Sequence, residues 1–306
     1  MRFGGHQTFF VREGWLAKGL ALLREDANAF DDPYVADQLG VGRNMAKSIE
    51  HWLLATGLAE KTERRGRGRL GEPRLKVTEL GEVIAQHDPW FLDPGTWWFL
   101  HINLVRTPGH AATWHWFFNH YASSRFDRAA VVAQLELNER MNSRRTPTRK
   151  TLERDVSCFL GSYAAEVPYR RKDPEEEIDC PFQELRLIRH FRASGYYELN
   201  RRRKSIPQQA LLYALQAPEL VAAESAGIVD VTLHDLHRMD GGPAQVLALS
   251  ADALFEHLVE LDASHAEAPL TMSGLAGDRQ LRFERNSAPE LMARHFDIVP
   301  VELAHA

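Results

Sequence analysis

The stretch Tyr34-Val35-Ala36-Asp37-Gln38-Leu39-Gly40-Val41-Gly42-Arg43-Asn44-Met45-Ala46-Lys47-Ser48-Ile49-Glu50-His51-Trp52-Leu53 decides the fold. Tyr34 to Leu39 reads as a short helix that ends at Gly40, with Val41-Gly42 as the turn. Arg43 to Leu53 follows as a second, amphipathic helix. Met45, Ile49, Trp52 and Leu53 recur at helical spacing and are expected in the core. Arg43, Asn44, Lys47 and Ser48 are left on the other face, where their chemistry suits phosphate and base-edge contacts. Gly57-Leu58 closes this helix. Lys61 to Arg69 and the return run Arg74 to Thr78 then read as a hairpin. Its tip carries Arg64, Arg65, Arg67 and Arg69 among glycines, which suits a wing lying along a phosphate backbone. The segment from Pro33 to Leu80 therefore predicts a winged helix-turn-helix.

Charge supports that reading. Lys61 to Lys76 holds seven Lys or Arg against two Glu, inside a chain whose formal net charge is −5. The basic character is local, the footprint expected of a nucleic-acid-facing surface. The competing reading is a winged helix used for protein contacts, with the arginines merely solvated.

Bulk composition sets the frame. At 306 residues, 44% hydrophobic and 26% charged, the chain has the make-up of a soluble globular protein of two or three domains. No run approaches the roughly 20 apolar residues of a membrane span. The opening Met1-Arg2-Phe3-Gly4-Gly5-His6 lacks a signal-peptide core, so a cytoplasmic protein is expected, with no membrane partner. Two cysteines, Cys158 and Cys180, form no CxxC pair, which argues against a cysteine-built zinc site. Cys158 falls in an apolar helical stretch. Cys180 follows the acidic run Lys172 to Asp179 and is expected to be the more exposed.

Working outward, Trp15 to Arg24 predicts a first helix and Glu79 to Gln86 another. Thr96 to Leu104 and Thr113 to Tyr121 predict two aromatic-rich helices at the centre of a helical middle domain. His101, His110, His115 and His120 lie there, but without an HExxH-like pattern they read as core or rim groups, and no metal ligand is assigned. Asp127 caps a helix through Met141. The basic turn with Arg144 and Arg145 leads into a helix from Arg149, along which Leu152, Val156, Phe159 and Leu160 repeat. Arg144, Arg145, Arg149, Lys150 and Arg154 would form the basic face of a second helix-turn-helix, or a solvated helix face. Tyr196 to Asn200 reads as a strand, and Arg201-Arg202-Arg203-Lys204 as a basic turn that would supply its wing. The last third alternates short helices and strands, with Ser250 as a helix cap. The expected architecture is mainly α with small β wings (α+β), as winged helix-turn-helix units packed in a multi-part helical protein. The expected units are 1–87, 88–204 and 205–306.

Six segments in this order also resemble one bacterial family: FGGHQTFFVREGWLAKG from Phe3, GVGRNMAKSIEHWLLATGL from Gly40, DPGTWWFLHINLV from Asp93, TLERDVSCFLGSY from Thr151, IDCPFQELRLI from Ile178, and AGDRQL from Ala276 with APELMARHF ending at Phe296. The resemblance is to the SspB-type proteins of single-stranded DNA phosphorothioation systems, catalogued mainly as a domain of unknown function. It implies work beside a cysteine desulfurase, an ATPase and an adenylating sulfurtransferase, which together replace a non-bridging phosphate oxygen of DNA with sulfur as a mark for defence against phage. It further implies a DNA nickase, opening the backbone for sulfur to enter. A homodimer is compatible with the sequence.

The residues themselves give a nuclease little support. A metal-dependent enzyme needs carboxylates around Mg²⁺, yet Asp278 and Glu284 flank one strand without a lysine. No cofactor is identified; Mg²⁺ or Mn²⁺ would be the ion if the chain is a nuclease. A metal-independent route would draw on His6, Gln7 and Arg12, with Lys18 nearby. The other reading is that His6 and Arg12 fix the amino-terminal segment against the winged helix. The expected function is thus a DNA-binding, DNA-nicking component of a phosphorothioation system. The alternatives are a non-catalytic targeting adaptor and a transcription regulator.

Overall fold

A computed structural model describes residues 3–62, 74–142, 146–167, 180–217, 220, 227–264, 270–274 and 279–298. The first part runs helix α1 (Trp15–Glu25), α2 (Val35–Leu39), α3 (Arg43–Ala55), strands β1 (Ala59–Lys61) and β2 (Leu75–Val77), then α4 (Glu79–His87). Gly40 ends α2 at φ 66°, a left-handed conformation that glycine takes without strain. Ile49, Trp52 and Leu53 are fully buried, and Met45 is half-buried. β1 and β2 are antiparallel, with Lys61 opposite Leu75. The predicted tip carrying Arg64, Arg65, Arg67 and Arg69 lies outside the described residues.

The middle part contains α5 (Pro94–Arg106), α6 (Ala112–His120), β3 (Arg125–Phe126), α7 (Arg128–Asn142), α8 (Arg149–Tyr163), β4 (Ala164–Glu166), β5 (Ile188–Phe191) and β6 (Tyr196–Leu199). Asp93 and Pro94 start α5: the Asp93 carboxylate accepts from Gly95 N, and proline fits the first turn, whose N–H groups are unpaired anyway. α5 and α6 are apolar nearly all round and form the centre of the molecule, as their aromatic runs demand. The four strands lie in the order β3-β6-β5-β4, antiparallel except for β4 beside β5.

The last part runs α9 (Gln208–Leu215), β7 (Ile228–Thr232), α10 (Leu233–Arg238), α11 (Pro243–Val246), α12 (Ala251–Ala263), β8 (Leu270–Ser273), β9 (Gln280–Glu284) and α13 (Ala288–Ile298). Ser250 caps α12 by accepting from Ala253 N at 3.2 Å. The sheet order is β7-β9-β8, all antiparallel.

One order recurs. In the middle part it is helix α6, strand β3, helices α7 and α8, then hairpin β5–β6, whose second strand pairs with β3. In the last part it is helix α9, strand β7, intervening helices ending in α12, then hairpin β8–β9, whose second strand pairs with β7. The amino-terminal part has the three helices and the hairpin, in a two-stranded sheet.

The parts share one apolar core. Trp52 of α3 meets Trp114 of α6 edge to face, 5.4 Å between centroids. The buried guanidinium of Arg106, on α5, donates to the carbonyls of Tyr213 and Ala214 at the end of α9, satisfying groups a helix terminus leaves open. α13 returns to pack on α4 and α9, with Phe296 stacked on His87.

Two expectations are corrected. Cys180 is buried, because the short 3-10 turn Pro181–Leu185 folds back beneath α5 and α8. Arg201 to Lys204 is no hairpin tip: residues 192–195 make the β5–β6 turn instead. Arg203 and Lys204 face the last third, where Arg203 pairs with Glu260 and Lys204 binds the carbonyls of Leu247 and Ala248.

Candidate nucleic-acid interface

The amino-terminal loop is built against two faces at once. Gly4, in the left-handed region at φ 71°, turns its N–H onto Asp155 Oδ1 at 2.6 Å. His6 follows it inward and is 2% exposed. Its Nδ1 accepts from Thr8 N at 3.1 Å, so the proton sits on Nε2, which donates to the same Asp155 oxygen at 2.8 Å. The other Asp155 oxygen accepts from the Thr113 hydroxyl at 2.7 Å. A buried carboxylate is tolerable only when its lone pairs are met in this way. On the opposite side, Ser48 Oγ donates to His6 O and Trp52 Nε1 to Phe9 O, both at 3.0 Å. The loop thus joins α3 to α6 and α8.

Ser48 therefore corrects the expectation of a solvent-facing contact residue. It is 0% exposed, because the loop covers its side of α3. Helical periodicity separates apolar from polar positions but cannot say that a loop remote in sequence lies over one of the polar ones. His6, a candidate for catalysis, has both ring nitrogens engaged and no face to solvent. Asp155 is the residue that sequence reasoning passed over. It stands three positions after Leu152 and beside Val156, an acid on an apolar helix face, and that misfit was the available signal.

What the loop leaves exposed is a compact polar surface. Gln7 and Thr8, both non-glycine residues at positive φ (51° and 70°), project outward at its bend. Such backbone costs of order 1–3 kcal/mol per residue and is held here by the anchors on either side. Arg43, Asn44 and Lys47 stand exposed on the first turns of α3. The helix starts at Gly42 with no side-chain cap and no acid in its first turn, so its amino-terminal N–H groups and partial positive charge face outward. Arg12 lies over the rings of Phe9 and Trp15, at 5.5 and 5.3 Å, and lines a shallow cleft of about 590 Å³ with the Gly40–Gly42 turn.

Neighbouring cations are committed elsewhere. Arg74 pairs with Glu50 at 2.8 Å and Asp31 at 3.4 Å, and Lys76 with Glu60 at 2.8 Å. Arg149, a candidate on the second basic face, pairs with Glu136 at 3.0 Å and Glu153 at 3.2 Å, while Lys150 is exposed. Arg144 and Arg145 lie outside the described residues. The structure gathers Gln7, Arg12, Arg43, Asn44 and Lys47 about the loop and the amino-terminal half of α3.

Comparison with known proteins agrees with this architecture. The family model described as "Protein of unknown function (DUF4007)" matches residues 3–296. Two similar solved structures are described as "SspB crystal structure" and "Magnesium ion-bound SspB crystal structure". Each is 25% identical with a TM-score of 0.79, and the match covers 96% of this chain and 86% of theirs. No curated protein matches the chain in sequence. Magnesium belongs to that SspB structure; among the described residues of this chain, no group of three or more His, Cys, Asp or Glu gathers as ligands.

Proposed function

The chain belongs to the DUF4007 family, and on that premise we propose that it is the DNA-engaging component of a bacterial DNA phosphorothioation system, nicking DNA so that sulfur can be introduced. One observation carries the DNA-binding part: Arg43, Asn44 and Lys47 are exposed at the uncapped start of α3, and among the described residues no internal acid neutralises them. A helix N-terminus with an arginine at its first position is suited to a backbone phosphate, and an asparagine one residue on can pair bidentately with an adenine edge. We read the helices followed by a hairpin in each part as winged helices, the first of which presents α3 to the duplex. Gln7, Thr8 and Arg12 border the same surface and would contact the phosphates beside it.

The resemblance to SspB-type proteins supports the nicking step and the assembly with a cysteine desulfurase, an ATPase and an adenylating sulfurtransferase. His6 is a positioning residue in this reading, since it holds the loop and cannot reach a scissile bond from its site.

The test is a titration of labelled duplex by fluorescence anisotropy, run beside a supercoiled-plasmid assay with and without Mg²⁺ or Mn²⁺. The proposal expects binding, and open-circle product that Arg43→Ala diminishes. Binding without open circles would leave a targeting adaptor. Absence of binding would refute the reading.

A further inference from the structure

The basic run Arg201 to Lys204 plays no part in the surface above, yet its Arg203 and Lys204 line a pocket of about 210 Å³ with Ser205, Gln208, His257 and Glu260. Its lysine is held in place. Lys204 Nζ donates to Leu247 O at 3.1 Å and Ala248 O at 2.9 Å, which leaves one of its three N–H groups for the pocket. The carbonyl of Ala248 comes from a residue at φ 48°, a left-handed conformation in a non-glycine residue. His257, on α12, is 6% exposed, and its Nε2 is buried with no hydrogen-bond partner. A buried polar atom without a partner costs roughly 1–3 kcal/mol, so its presence beside a cavity points to something that fills it. Gln208 begins α9, a helix with no side-chain cap at its start and no acid in its first turn.

Positive charge is crowded here. Burial, with Arg201 nearby, lowers the Lys204 ammonium to about 7. Burial, with Arg203 and Lys204 adding repulsion, also lowers the His257 imidazolium. Of the lining residues, Glu260 is the acid, and it is already paired with Arg203. Leu211 and Leu261 line the pocket on its apolar side.

We propose that this pocket binds a single phosphate group, held by Lys204 Nζ, His257 Nε2 and the amino terminus of α9. One oxyanion would accept a hydrogen bond from the remaining lysine N–H, give His257 Nε2 a partner and face the unpaired N–H groups of the helix. The pocket has room for a phosphate but not for a duplex, so the group enters as a free ion or as the end or backbone of a single strand. This site lies apart from the α3 surface, and its occupancy does not depend on the function proposed for that surface.

The experiment uses the full chain and inorganic phosphate, followed by calorimetry and thermal shift, with chloride at matched ionic strength as the control. Saturable binding is expected, weakened at least about tenfold by Lys204→Met and by His257→Leu. His257→Leu takes away a ring nitrogen, Nε2, that makes no hydrogen bond within the protein, so it decides the matter if Lys204→Met fails to fold. Competition by a short oligonucleotide then locates the source. Displacement only by a 5′-phosphorylated strand indicates a strand end, displacement by the unphosphorylated strand as well indicates backbone, and displacement by neither indicates a free ion. No saturable binding, or binding that His257→Leu leaves unchanged, would overturn the proposal.

Discussion

His6 Nε2 donates to Asp155 Oδ1 at 2.8 Å across 149 positions of sequence. That bond ties the amino-terminal loop to α8, while Ser48 and Trp52 tie the same loop to α3. The surface carrying Gln7, Arg43, Asn44 and Lys47 is therefore positioned by a buried carboxylate remote from it in sequence. Replacing Asp155 with Ala strands the Gly4 N–H, the His6 Nε2–H and the Thr113 hydroxyl. The expected loss is about 3–5 kcal/mol in urea unfolding, because each buried donor left without an acceptor costs about 1–3 kcal/mol. A change below about 1 kcal/mol would contradict the role assigned to Asp155.

Ser48 and Lys47 are neighbours in sequence with opposite expected phenotypes. Ser48→Ala removes a buried donor to His6 O. It should cost about 1–2 kcal/mol of stability and leave the DNA affinity of the folded protein intact. Lys47→Ala, at an exposed position, should leave stability within about 0.5 kcal/mol of the wild type and weaken DNA binding. Measuring both properties on both variants separates architecture from contact; a Ser48→Ala protein that is fully stable yet loses affinity would reverse the assignment.

Acid should weaken the fold through His101. Its ring is fully buried, with Nε2 donating to Val246 O at 2.6 Å and Nδ1 accepting from the Tyr163 hydroxyl at 2.7 Å. Burial lowers its pKa from 6.5 to about 3. The folded state thus keeps the ring neutral while the unfolded chain takes up a proton. The stability this group contributes is complete above pH 6.5 and declines as pH falls from 6.5 toward 3, by at most about 1.4 kcal/mol per pH unit. Burial also lowers the imidazolium pKa of His115, His237 and His257, so their effects have the same sign. Denaturation at about pH 7 and about pH 5, on either side of the unfolded-state histidine value, should show a smaller acid loss in His101→Gln than in the wild type, and equal losses would count against this origin.

Gly19 marks the closest approach of α1 to α3. A methyl group there would lie 2.5 Å from Ile49 Cγ2 and 3.1 Å from Leu53 Cδ1. Gly19→Ala should gain helix propensity but lose more by forcing the two helices apart, a net loss of about 1–3 kcal/mol. An unfolding midpoint at or above the wild-type value would show that the two helices can yield.

The sequence made the helices legible where two independent signals coincided. Gly40 and the spacing of Ile49 and Trp52 located α2 and α3, and Ser250 located α12, because local chemistry alone sets a glycine stop, a cap and an amphipathic period. The short strands β3, β5, β7 and β8 escaped, since so few residues carry too little periodicity and their identity comes from pairing with distant partners. The surface was half legible. Arg43, Asn44 and Lys47 stand exposed where their helical spacing put them, whereas the burial of Ser48 and His6 depends on a loop folding over α3 and on Asp155 in another part of the chain. Arg201 to Lys204 looked like a wing because its composition matches one; only the register of β5 with β6 shows that the turn lies earlier.

The central claim is that DNA is engaged through the exposed start of α3. The most direct test is the salt dependence of duplex binding for the wild type and the Arg43→Ala/Lys47→Ala double variant. Removing one cation from a phosphate should reduce the slope of log affinity against log salt by about 0.9, so the double variant should bind more weakly and with a slope shallower by about 1.8. Wild-type affinity and slope in the double variant, with the fold intact, would contradict the claim and move the DNA to another face of the protein.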